Sequence, residues 1–97
     1  MEKLSIGEIK YNLKELKDWK LFGNKIAKEF HFKDFNEAMN FINKIAKEAE
    51  EEQHHPDILI NYNKVTLTLS THSVKGLTEK DFILAKIIEK LTKKRIS

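Results

Sequence analysis

The chain has 97 residues, 34% of them charged, with 18 basic against 15 acidic residues, no cysteine and one proline. That length fits one domain, 1–97, with one modest core. It excludes disulfides, thiolate metal sites and any segment near the ~20 apolar residues of a membrane span. The start MEKLSIGEIK lacks the apolar run of a signal peptide, so the expected location is the cytoplasm. The net charge of +3 is dispersed apart from Lys93, Lys94 and Arg95, so no direct nucleic-acid binding and no membrane partner are expected.

Three helix starts share a capping pattern. Ser5, Asp34 and Thr78 each stand three residues before a carboxylate, Glu8, Glu37 and Asp81. The first helix is predicted from about Ile6 to Lys17, with Ile6, Ile9, Leu13 and Leu16 as its stripe. Trp19 to Phe22 and Lys25 to Phe32 then read as a hairpin around Gly23-Asn24, where glycine supplies a positive φ. Trp19 is expected in the core. His31 lies on the solvent parity and reads as structural. The second helix carries Phe35, Ala38, Met39, Ile42, Ile45, Ala46 and Ala49 on one face. A second hairpin comes next, with Ile58, Ile60 and Tyr62 alternating and Asn63-Lys64 as its turn. In its last strand Val65, Leu67 and Leu69 face inward, while Thr66, Thr68, Ser70 and His72 face the other way. The third helix runs from about Glu79 to Thr92, with Leu84, Ile87, Ile88 and Leu91 inward.

The predicted order is therefore α-β-β-α-β-β-α. It is an α+β fold in which three helices cover one face of a four-stranded antiparallel sheet. The open face and edge strands favour self-association.

Three of the four histidines fall between Glu50 and His72. Pro56 biases His55 toward extended backbone, so the adjacent His54 and His55 point apart and can flank one ligand. Glu48, Glu50, Glu51 and Glu52 crowd the end of the second helix, where carboxylates oppose the helix dipole. Their potential favours a proton-carrying imidazole beside them. On spacing alone three readings stand open. The histidines are solvated loop residues, or zinc ligands with a carboxylate, or an acid–base site.

Glu50, His54-His55-Pro56, Tyr62, His72 and Asp81, together with YNKV at Tyr62, LSTH at Leu69 and FHFKDF at Phe30, resemble the signature of the pterin-4a-carbinolamine dehydratases. The resemblance extends from about Trp19 to Leu91. It implies the same helix-backed sheet, a homodimer or homotetramer, and no metal or cofactor. It also implies a reaction, the loss of water from 4a-hydroxytetrahydropterin to give quinonoid dihydropterin, within tetrahydrobiopterin recycling for aromatic amino-acid hydroxylases. By the same resemblance His54, His55, His72, Glu50 and Asp81 form the catalytic cluster. Gln53, Pro56, Ser70, Thr71 and Ser73 join the histidines in binding the pterin. Gln53 stands where some relatives have Asp, and Ile58 lies in a segment often aromatic in them. Two other roles are implied for members of the family: a non-enzymatic dimerisation cofactor of a homeodomain transcription factor, and a part in molybdopterin metabolism.

Overall fold

A computed structural model describes residues 2–94, so Arg95 of the basic end lies outside the described residues. The element order is α1 (Ile6–Leu13), β1 (Lys20–Phe22), β2 (Lys25–His31), α2 (Phe35–Glu52), β3 (Asp57–Asn61), β4 (Lys64–Leu69) and α3 (Glu79–Lys94). The four strands form one antiparallel sheet in the order β1-β2-β4-β3. The α+β architecture expected from the residue pattern is the one observed.

Alternation decides which face of the sheet is covered. Ile26 and Phe30 of β2, and Val65, Leu67 and Leu69 of β4, are buried against helix residues such as Ile9, Ile45, Leu84 and Ile88. Glu29 and His31, one residue out of phase, are exposed. Trp19 is in the core, as expected. Its ring meets Phe30 edge-on at 6.2 Å, and its Nε1–H donates to Glu89 at 2.9 Å. Among the described residues no helix is long and apolar enough to cross a membrane.

The caps form where the sequence places them. Ser5 Oγ accepts the Glu8 N–H at 3.2 Å while Glu8 accepts the Ser5 N–H at 2.8 Å. Those bonds, the backbone one first, hold the Glu8 carboxyl below its ordinary pKa. Asp34 accepts the Glu37 N–H at 2.9 Å, and Glu37 reaches the N–H of Lys33 instead of its cap.

Four local expectations need correction. First, α1 stops at Leu13, not Lys17, and Ile6 of its expected stripe is 58% exposed. The N–H groups of Lys14, Glu15 and Leu16 bond three residues back, which tightens the chain into a turn that still buries Leu16. Second, Phe35 is 49% exposed at the first position of α2 and Ala46 is exposed too. Phe41 fills the core instead, with ring centroids 5.2 Å from Phe30 and 4.9 Å from Phe32. Third, the second hairpin turns at Tyr62-Asn63, because Asn61 pairs with Lys64. Asn63 fixes that register by exchanging hydrogen bonds with the Phe32 backbone, and Tyr62 takes a left-handed φ of 57°. Fourth, β4 ends at Leu69, so His72 is not on a strand.

Candidate active site

The C-terminal end of helix α2 aims the His54-His55 pair. Gln53 adopts a left-handed conformation, φ 53°, unusual for a residue with a side chain. The N–H of His54 bonds to the Ala49 carbonyl and that of Gln53 to the Glu50 carbonyl, a Schellman closure of the helix end. The chain reverses there, and Pro56 carries it into edge strand β3.

The other wall comes from the segment after β4. Thr71 pairs with Gly76 as an isolated bridge, and His72–Val74 winds one 3₁₀ turn closed by Lys75 at φ 53°. His72 therefore stands on a turn beyond the strand, exposed, and its side chain makes no hydrogen bond with a described residue. The turn and the α2–β3 connection enclose a hollow of about 400 Å³. Gln53, His54, His55 and Pro56 line one side, and Ser70, Thr71, His72 and Ser73 the other.

The carboxylates expected with these histidines lie behind them. Asp81 is fully buried and does not line the hollow. Its Oδ1 accepts the Nε2–H of His54 at 2.6 Å. Its Oδ2 accepts the Thr71 hydroxyl at 2.8 Å and the Thr78 N–H at 3.0 Å. Because Thr71 donates to Asp81, it must accept from Thr78, whose oxygen lies 2.8 Å away. Thr78 in turn accepts the Lys80 N–H at 3.3 Å. The capping position of α3 and the anchor of His54 are thus one network. Thr71 borders the hollow with its hydroxyl turned inward.

Glu50 holds His55 in the same manner, Oε2 to Nε2 at 2.5 Å, but in water, with both side chains more than half exposed. Each carboxylate takes the Nε2–H, so Nδ1 is the ring nitrogen left to a ligand. Two imidazoles held by carboxylates and a third without a hydrogen-bond partner among the described residues border the same hollow. Such a set can both donate and accept protons around one bound molecule. Among the described residues no group of three or more His, Asp or Glu side chains gathers in a way that could hold a metal ion.

Two further residues line the hollow, Asp57 and Lys80, and neither belongs to the motif legible in the sequence. Asp57 directly follows Pro56, and Lys80 precedes Asp81. Adjacency to the motif is the only local signal they carry, and charged residues at such places usually face solvent. A larger recess of about 460 Å³ between α1 and α3 is lined by Leu4, Tyr11, Phe82 and Ile83 among others and holds no imidazole. Size alone therefore does not locate the chemistry.

Comparison with known proteins identifies the family and bears on the fold. The family model described as Pterin 4 alpha carbinolamine dehydratase matches residues 2–91. A protein of Trichodesmium erythraeum, provisionally named a pterin-4-alpha-carbinolamine dehydratase, is 50% identical over 91 residues, covering 94% of this chain and 98% of its own length. One of Sulfolobus acidocaldarius, named in the same way, is 51% identical over 89 residues, covering 92% and 98%. The crystal structure of a transcriptional coactivator/pterin dehydratase from Brucella melitensis superposes with a TM-score of 0.90 at 35% identity, over 93% of this chain and 98% of that one. A pterin dehydratase-like protein described as a RuBisCO assembly factor shares the fold, with a TM-score of 0.63 at 23% identity over 75% of this chain and 84% of its own.

Proposed function

The chain belongs to the pterin-4α-carbinolamine dehydratase family, and from that premise we propose that it removes water from 4a-hydroxytetrahydropterin by histidine acid–base catalysis. One observation carries the reading: three imidazoles, two of them oriented by carboxylates, border the same hollow.

In this reaction the bond between C4a and the hydroxyl oxygen breaks. A protonated imidazole gives its proton to the departing oxygen, and water leaves. An unprotonated imidazole takes the proton from N5 as the N5=C4a double bond forms. One proton enters and one leaves, so the products are quinonoid dihydropterin and water, with no redox change. A positioned acid or base contributes about 10²–10⁴ in rate. His54, His55 and His72 do this work. Asp81 and Glu50 orient His54 and His55, while Gln53, Pro56, Ser70, Thr71 and Ser73 form the walls against the pterin. The chemistry asks for no cofactor or metal.

The physiological setting that fits is a cytoplasmic one, with residues 1–97 acting as one domain that recycles tetrahydrobiopterin for an aromatic amino-acid hydroxylase. Ile58 and Leu59, 40% and 65% exposed on edge strand β3, support a homodimer or homotetramer. The name of the Brucella protein, coactivator as well as dehydratase, keeps an assembly role in view. That role alone gives no reason for two carboxylate-held imidazoles facing a shared hollow.

Stopped-flow absorbance with freshly generated 4a-hydroxytetrahydropterin tests the proposal. Catalytic amounts of the protein should accelerate its conversion to quinonoid dihydropterin. Decay at the spontaneous rate would overturn the reading.

A further inference from the structure

We propose that Lys80 and Asp57 are the residues that select and orient the pterin ring, by reading its pyrimidinone edge. The inference rests on the dehydratase reading and adds to it two residues with no assigned role.

Lys80 lies in the first turn of α3, where a cation opposes the positive end of the helix dipole. Its side chain is half-buried and borders the hollow, yet makes no ion pair with a described residue. The nearest acids in sequence do not serve it. Glu79 and Asp81 project from other sides of the helix, and both oxygens of Asp81 are already engaged. Asp57 opens edge strand β3 opposite Thr68, in a setting where aspartate is disfavoured. It too borders the hollow, where it is exposed, and its carboxylate has no hydrogen bond or ion pair with a described residue. The two opposite charges border one recess and form no ion pair with each other.

A pterin supplies what both lack. Its 4-oxo group is an acceptor suited to an ammonium. Its N3–H and 2-amino group are adjacent donors suited to both oxygens of one carboxylate. The 4-oxo carbon is bonded to C4a, the reacting carbon. Holding that edge between Lys80 and Asp57 fixes the rotation of the ring in its plane. C4a and N5 are then turned toward the imidazoles in one orientation, the positioning that acid–base catalysis requires.

Binding of two stable ligands separates the roles. They are 6-methylpterin and 6-methyllumazine, in which a 2-oxo acceptor replaces the 2-amino donor. Near neutral pH the unaltered protein should prefer the pterin by about tenfold or more, since a carboxylate facing the 2-position repels an oxo group. Asp57→Asn should shrink that preference to about threefold or less. Lys80→Met should weaken both ligands by about tenfold, because both keep the 4-oxo group, and Lys80→Arg should restore most of the affinity. Circular dichroism guards against misfolding, which would weaken both ligands equally in every variant. An unchanged pterin-to-lumazine ratio in Asp57→Asn, or wild-type affinities in Lys80→Met, overturns the assignment of that residue. If the unaltered protein binds neither ligand, the dehydratase reading falls and this inference with it. If it binds the pterin and the variants behave as it does, only the inference falls.

Discussion

Replacing His72 with alanine should slow dehydration of 4a-hydroxytetrahydropterin at least about tenfold, and by as much as about 10⁴ if this ring is the principal acid or base. The expectation comes from the bonds that His72 does not make. It stands exposed on the 3₁₀ turn, and its side chain bonds to no described residue. Its removal should therefore leave the thermal unfolding transition within about 2–4 °C, since surface changes away from structural networks are usually worth no more than about 0.5 kcal/mol. Activity and stability separate cleanly at this position. His55→Ala should behave similarly, because the ring it removes is 57% exposed and, among the described residues, pairs only with the exposed Glu50. Wild-type turnover in His72→Ala would remove that residue from the catalytic set.

Asp81→Ala should cost both stability and activity. The aspartate is fully buried and accepts three hydrogen bonds, from His54, Thr71 and Thr78. Without it, three donors at the base of the hollow lose their acceptor together. Removing one partner of a buried polar cluster typically costs about 3–5 kcal/mol. For a chain of this size that is a large share of a stability of about 5–15 kcal/mol. Urea denaturation should show the midpoint fall by a corresponding amount. Asp81→Asn keeps the volume and part of the hydrogen bonding, so it should fold better. Its amide cannot accept from all three donors, and it removes the charge that orients His54, so dehydration should still fall at least about tenfold. An Asp81→Asn protein with full activity would show that His54 needs no carboxylate behind it.

Much of this arrangement is legible before folding is considered. The capping residues Ser5, Asp34 and Thr78 mark the helix starts within a residue or so. The glycine of Gly23-Asn24 marks a turn that the structure makes, with φ 58°. Both signals are local, so tertiary contacts have little to overturn. Phe35 and Phe41 show where this stops. Both suit a buried stripe of α2, and the choice depends on which end of the helix overlies the sheet, a tertiary fact. The same limit applies to His72. Residue parity continues the strand through it, but the Thr71–Gly76 bridge and the Thr71–Thr78–Asp81 network pull the chain into a turn. That network joins residues seven and ten apart through side chains that look unremarkable in isolation. Asp57 and Lys80 are hidden for another reason. In a chain that is one-third charged, nothing local separates a charge that borders a hollow from one that does not.

The central claim is that His54, His55 and His72 gather around a single pterin while His31 does not, and nitrogen-detected NMR of the four imidazoles tests it most directly. His31 is a built-in control. It lies on β2 with its ring beside Glu29 and away from the hollow. Titration with 6-methylpterin should shift the ring resonances of His54, His55 and His72 along one saturation curve with a shared Kd, leaving those of His31 in place. Should the pterin bind while His72 and the His54-His55 pair stay unmoved, or shift with different affinities, the three rings do not form one site.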